Sequence, residues 1–264
     1  MKHLVIAVSP DSSLELLNRF ADIIVLDKDD IINTNTAYDS VYIRSHFGQQ
    51  STLPRNFRTE IDQLVQNAKD ANPELKYIDG IDTVDAIVAF EDKWLQYTTF
   101  GAYMPRTELY DKNAQPSTFL RPVYKNRLSS RGTGVTWNEK NIGDAQNNWI
   151  VQESIDIQEE LRIYIICGKV YPAAAIKQSM AESNKAQGID SRALSIDETT
   201  FSQKIYEMSP SLDIIGIDIA RTTDGALMLM EVNRSPGFAK FYELTGTNLA
   251  ANLYETLDRN IHHV

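Results

Sequence analysis

The sequence predicts a chain of mixed α/β and α+β class: a short Rossmann-like lobe over residues 1–90, then an antiparallel α+β body over residues 91–264. Three observations carry that prediction. The 264 residues are 42% apolar and 23% charged, a globular balance able to bury a sizeable core. In the first third, short apolar runs alternate with amphipathic stretches, the pattern of βαβ units in a parallel sheet. After Pro105 the apolar runs come in pairs separated by turn residues, the pattern of antiparallel hairpins.

Leu4-Val5-Ile6-Ala7-Val8 reads as a buried strand ending at Ser9-Pro10-Asp11, and Ser12–Phe20 as a short helix. Ile23–Leu26 and Val41–Ile43 follow as strands. Between Arg55 and Ala71, the residues Phe57, Ile61, Leu64, Val65 and Ala68 recur on one helical face. Leu75–Ile78 is a strand stopped by Asp79-Gly80, and Asp82–Phe100 reads as one longer helix. The paired strands are Phe119–Tyr124, Gly134–Trp137, Trp149–Ile155, Arg162–Ile166, Lys169–Ala175, Ile214–Ala220 and Ala226–Val232. Cys167-Gly168 and Thr223-Asp224-Gly225 supply hairpin turns. Asn248–Ile261 closes the chain as a helix.

Composition excludes several classes. The single cysteine, Cys167, rules out an internal disulfide framework and any multi-cysteine metal site. A net charge of −10 argues against a nucleic-acid partner, which needs a basic face. No window approaches the ~20 apolar residues that span a bilayer, so no membrane partner is expected. The start lacks the long apolar core and cleavage site of a signal peptide, and the expected location is the cytoplasm. His3, His46, His262 and His263 lie near the ends or in the first lobe, and neither they nor Cys167 suggest a nucleophile with its base.

The sharpest chemical signal is Gly216-Ile217-Asp218 facing Met230-Glu231-Val232-Asn233 across the last hairpin. Alternation puts Glu231 and Asn233 on one face, and sets Asp218 opposite the side taken by Ile215, Ile217 and Ile219. The turn brings Asp218 roughly across from Glu231. Two carboxylates and an amide oxygen form a hard-oxygen set suited to Mg²⁺. The plainer alternative is an edge strand with solvent-facing charges, but the flanking residues are apolar and an uncompensated buried carboxylate pair is costly. A second signal is Lys125-Asn126-Arg127-Leu128-Ser129-Ser130-Arg131-Gly132-Thr133-Gly134, whose glycines would let backbone N–H groups cradle phosphate oxygens. It also fits a mobile hairpin tip. A third, Ile150–Ile155 followed by Glu159 and Glu160, could border a purine and its ribose, or be an ordinary strand with solvated acids.

In chain order these residues resemble the ATP-grasp superfamily of carboxylate–amine ligases, in its RimK-like and glutathione-synthetase-like branch. The resemblance runs from Asp92 to Leu257. Its most specific stretch is Gly216-Ile217-Asp218 through Asp224-Gly225 to Glu231-Val232-Asn233-Arg234-Ser235-Pro236-Gly237-Phe238. Glu91-Asp92-Lys93 and Met104-Pro105-Arg106-Thr107 match the entry segment. Val151-Gln152-Glu153, Glu160-Leu161-Arg162, Ala173–Ile176, Gln178 and Asp190-Ser191-Arg192 are similar to graspetide (microviridin-type) peptide maturases.

The resemblance implies an ATP-grasp domain at 91–264 whose two α+β subdomains clamp ATP, after a pre-ATP-grasp lobe at 1–90. It implies an ADP-forming ligase that activates a carboxylate as an acyl phosphate and joins it to an amine or hydroxyl, on a peptide among other substrates. Lys93 and Lys125 would meet the α- and β-phosphates, with the loop Ser129, Ser130, Arg131, Gly132, Thr133 and Gly134 folding over them. Gln152, Glu153, Ser154 and Ile155 would border the adenine, and Glu160 would hold the ribose. Asp218, Glu231 and Asn233 would bind two Mg²⁺ ions, replaceable by Mn²⁺, with Glu231 bridging. Arg162, Arg192 and Arg221 are the catalytic candidates at the γ-phosphate end. A homodimer is compatible with these expectations. A small-molecule kinase on the same fold and a non-catalytic ATP-binding module remain the alternatives.

Overall fold

The computed structural model describes residues 1–28, 36–44, 57–113, 118–129, 134–142, 148–177, 188–209 and 211–261. The first sheet is parallel, in the order β2-β1-β3-β4, from β1 (His3–Ala7), β2 (Asp22–Val25), β3 (Ser40–Arg44) and β4 (Lys76–Tyr77). Every residue of β1 and β3 is buried, as expected for strands covered on both faces. The short α1 (Leu14–Leu17) and the amphipathic α2 (Phe57–Ala71) supply the cover. The predicted stripe Phe57, Ile61, Leu64, Val65 and Ala68 packs against Leu4, Ile6, Val41 and Ile43.

The single helix expected over Asp82–Phe100 is two, α3 (Val84–Glu91) and α4 (Lys93–Phe100). The break has a physical cause. Asp92 leaves helical geometry (φ −69°, ψ 115°), and its Oδ1 accepts hydrogen bonds from the N–H groups of Trp94 at 2.8 Å and Leu95 at 3.4 Å. A carboxylate at that position caps a new helix and favours its positive end.

Two antiparallel sheets follow. The smaller, in the order β5-β8-β6-β7, is built from β5 (Thr107–Leu109), β6 (Pro122–Asn126), β7 (Val135–Thr136) and β8 (Trp149–Glu153). The larger, in the order β11-β10-β9-β12-β13, contains β9 (Ile157–Ile166), β10 (Lys169–Lys177), β11 (Gly188–Ala193), β12 (Ile214–Thr222) and β13 (Leu227–Asn233). Four elements lie where no strand or helix was expected: β5, β11, the helix α5 (Ile196–Glu207) and the helix over Ala239–Thr245. The polar, β-branched run Thr199-Thr200 weakens the helix signal of α5, but a capping box of Ser195 and Glu198 starts it.

Two helices close the chain, α6 (Ala239–Thr245) and α7 (Leu249–Ile261). Helix α7 returns to the first sheet. Leu253, Tyr254 and Leu257 share one apolar cluster with Val5, Tyr42, Tyr164 and Phe238. No helix among the described residues is long and apolar enough to cross a membrane.

Candidate active site

One face of the five-stranded sheet is apolar: Leu161, Ile163, Ile217, Ile219 and Leu229 pack there with Ile205 and Phe201 of α5. The opposite face carries the charge. Asp218 of β12 stands between Arg162 of β9 and Glu231 of β13 in the strand register, and Gly216 pairs with Asn233. The hairpin turn predicts this juxtaposition to within one residue. It depends on a β-bulge at Met230, where Asp218 pairs with Glu231 but Ile219 pairs with Leu229. The extra residue lets Leu229 stay in the core while Glu231 turns to the charged face, a common use of bulges near functional sites.

Arg162 clasps Asp218 with Nε to Oδ1 and Nη2 to Oδ2, both 2.7 Å, and Lys177 Nζ donates to Oδ2 at 2.8 Å. Lys177 also pairs with Glu160. Asp218 is 2% exposed. Burial alone would raise its pKa, but Arg162 and Lys177 outweigh burial and hold it well below the usual carboxylate range. Asp218 in turn raises Arg162, and Asp218 with Glu160 raises Lys177, each against its own burial.

The small sheet brings a second set of cations over this face. Lys125 Nζ donates to Gln152 Oε1 at 2.6 Å, and Gln152 Nε2 donates to Thr107 Oγ1 at 2.9 Å. Lys93, the first residue of α4, donates to the Ser129 carbonyl and stands 3.8 Å from Glu231 Oε1. Arg127 holds the cap of that helix, Nη2 to Asp92 Oδ2 at 2.6 Å. The Lys125 pKa is pushed down to about 8, first by burial and next by the charge of Lys93, with Glu231 and Glu160 working the other way. Lys93, Lys125, Arg162 and Lys177 thus face Glu160, Asp218 and Glu231, an arrangement suited to a polyanion carrying its own countercharge.

Glu231, Asn233, Gln96 and Ser129 line a small pocket. Asn233 Nδ2 is buried there without a hydrogen-bond partner. Because an amide can be turned end for end, that position can equally present the carbonyl oxygen, an acceptor aimed where a cation would sit. The donor chemistry of Glu231 and Asn233 therefore fits Mg²⁺. Asp218 fits only once a cation replaces Lys177, since its oxygens are already taken.

Several sequence-based candidates need correction. Arg192 and Arg221 are not on this face. Arg192 pairs in register with Ala174, which pairs with Ile163, and Arg221 pairs with Glu159; both belong to the side covered by α5. There they bind Glu198 Oε1, Arg192 at 2.7 Å and Arg221 at 2.8 Å, with Glu159 and Asp197 completing the cluster. The backbone N–H groups of Glu153 and Ser154 donate to the carbonyls of Arg106 and Arg121, so those two N–H groups are spent within the protein. Glu160 is the partner of Lys177 through Oε1. Gly134 sits at φ +65°, and a Cβ there would lie 2.8 Å from Asn126 Cβ, so glycine alone closes the hairpin. Ser130, Arg131, Gly132, Thr133 and Gln178 lie outside the described residues, as do His46, His262 and His263. Lys177 and Gln96 are the residues at the site that sequence reasoning missed. For Lys177 a signal existed, since it continues the alternation Ala173, Ala175.

Comparison with known proteins bears on the family and the fold. Residues 119–257, just over half of the chain, match the RimK-like ATP-grasp domain. A probable alpha-L-glutamate ligase of Parasynechococcus marenigrum (strain WH8102) is 33% identical over 121 residues, 43% of this chain and 25% of that protein. The matched stretch thus spans a quarter of that relative's length. Among solved structures, the ATP-grasp ligase PsnB complexed with a minimal precursor superposes with a TM-score of 0.65 at 15% identity, over 97% of this chain and 98% of that one. The macrocyclase MdnC of Microcystis aeruginosa MRC, bound with precursor peptide MdnA, gives 0.63 at 17% identity, over 98% and 100%. At these identities the structures speak for the fold, which is ATP-grasp. The chain belongs to the RimK-like ATP-grasp family.

Proposed function

We propose that the protein is an ADP-forming ligase that activates a carboxylate with ATP and joins it to an amine or hydroxyl, with a peptide as substrate. The carrying observation is the convergence of Lys93, Lys125, Arg162 and Lys177 on Glu231, Asn233 and Asp218 from two sheets. The peptide is supported by PsnB and MdnC, both solved with precursor peptides and both alike over nearly the whole chain.

In this proposal Lys93 and Lys125 bind the α- and β-phosphates, and Glu231, Asn233 and Asp218 would hold two Mg²⁺ ions. The ions would supply charge compensation for the triphosphate and for the phosphoryl group in transfer. Arg162, fixed bidentately on the same face, sits ready to draw the substrate carboxylate toward the γ-phosphate and offset the repulsion between two anions. The carboxylate oxygen bonds to the γ-phosphorus as ADP leaves. The incoming amine then attacks the acyl carbon, and phosphate departs. No side-chain nucleophile is required, which agrees with a Cys167 thiol pushed up to about 12 by burial.

The test is a trap. Protein, ATP and Mg²⁺ are incubated with a pool of Glu- and Asp-containing peptides and hydroxylamine. A peptide hydroxamate formed together with ADP is the expected result. ADP with a phosphorylated hydroxyl and no hydroxamate would make the protein a kinase, and no ADP with any peptide pool would overturn both.

A further inference from the structure

Strand β13 is the outermost of its sheet, so one side of its backbone has no neighbouring strand. At Val232 a side chain takes that strand's place. The Val232 N–H donates to Gln96 Oε1 at 3.0 Å, and Gln96 Nε2 donates back to the Val232 carbonyl at 2.8 Å. The second hydrogen of the same Nε2 goes to the Phe90 carbonyl at 3.0 Å. Gln96 is 4% exposed, and its amide spends both donors and its oxygen on these three backbone groups.

Val232 is the residue between Glu231 and Asn233. Its side chain is buried in the core at 2% exposure, while its two neighbours turn to the charged face and line the pocket. An amide that fixes the Val232 peptide therefore fixes the backbone on which both oxygen donors ride. Helix α4 adds a second connection, because Lys93, three residues before Gln96, faces Glu231. The first turn of that helix is tied in turn to the β6–β7 hairpin through Asp92 and Arg127.

The geometry points to Gln96 as a positioning residue that sets the spacing of Glu231 and Asn233 for a divalent cation, acting through the Val232 peptide and touching neither cation nor substrate. It rests on the proposal that Glu231 and Asn233 are metal ligands. No other residue type of this length supplies the two donors and one acceptor. Methionine would leave the Val232 N–H and carbonyl buried and unpaired. Glutamate would keep the acceptor for the N–H but set carboxylate oxygen against two carbonyls.

The test uses the full chain with Mn²⁺ and ADP as probes. Free Mn²⁺ is read by electron paramagnetic resonance at saturating ADP, and ADP affinity is read separately in EDTA. Gln96→Met is expected to weaken Mn²⁺ binding by about tenfold, a misplaced-ligand effect equal to one or two lost hydrogen bonds, while metal-free ADP affinity stays within about twofold. Gln96→Glu is expected to fall between the two and answers the question if the methionine variant does not fold. Wild-type Mn²⁺ affinity in both variants, or a loss of equal size with and without metal, would overturn the positioning role. Absence of Mn²⁺ binding in the unmutated protein would instead overturn the metal assignment itself, and Gln96's role with it.

Discussion

Lys93 Nζ stands 3.8 Å from Glu231 Oε1, a cation from the start of a helix against a carboxylate from an edge strand. Each is the other's charge partner before any ligand arrives. A nucleotide carrying divalent cations offers both a better arrangement, phosphate for the lysine and cation for the carboxylate, so the pair opens without leaving a buried charge alone.

That exchange makes Glu231 the most sensitive carboxylate of the site. Glu231→Gln keeps the size and a hydrogen-bonding oxygen but removes the charge that would hold two cations. ADP release with peptide substrate is expected to fall at least about a thousandfold, the scale of losing a preorganised electrostatic contact, with the melting midpoint little changed. Turnover within a factor of two of the parent would refute the metal assignment.

Lys177 should report on the same site through stability. It neutralises Glu160 and Asp218, and its side chain is only 10% exposed, so Lys177→Met leaves two buried carboxylates with Arg162 and Lys125 as the remaining cations. Breaking such a pair costs about 3 kcal/mol. A divalent cation can take over the missing charge, so saturating Mg²⁺ is expected to raise the variant's melting midpoint by more than it raises the parent's. Equal shifts in calorimetry would mean that no cation reaches Asp218.

The approach of Asp218 to Glu231 is legible in the sequence to within one residue, because a short hairpin fixes register that closely. The bulge at Met230 is not, though it decides on which face Leu229 and Glu231 fall. Arg192 is misassigned for a related reason. With no strand expected near residue 190 there is no phase from which to choose a side, and only its pairing with Ala174 settles it. Gln96 is invisible for a different cause, since its role depends on an edge strand 136 residues away. Local patterns reveal faces, whereas contacts between distant elements reveal which polar residues are spent on structure.

Arg221 tests the reassignment. It binds Glu198 and Asp197 on the α5 side and is 22% exposed in its side chain. Glu198 holds its charge well below the usual carboxylate range: burial opposes it, but Arg192, Arg221 and the Ser195 N–H prevail. Arg221→Gln is therefore expected to cost about 1 kcal/mol in urea unfolding, with Arg192 still in place, and to leave ADP release within about threefold. A hundredfold loss of turnover would return Arg221 to the reaction centre.

Asp79 gives a pH dependence of definite sign. It sits at the end of the first sheet, its Oδ1 accepting from the N–H groups of Asp213 and Ile214, with Arg234 3.9 Å away and its φ at +70°. Burial pushes its pKa up to about 7; the charge of Arg234 is the largest influence in the other direction. An unfolded aspartate, near 3.9, has already lost its proton at neutral pH. Between these values the folded state binds more protons, so this group's contribution to stability declines as pH rises through 7. Asp79→Asn keeps the accepting oxygen and tolerates the left-handed backbone. The parent is therefore expected to lose about 1 kcal/mol relative to the variant between pH 6.5 and 8.5, measured by urea unfolding of both at each pH. Taking the difference removes Lys125, which titrates near 8 with the opposite sign and is common to both proteins. A difference constant over that range would show that Asp79 is ionised throughout, held so by Arg234.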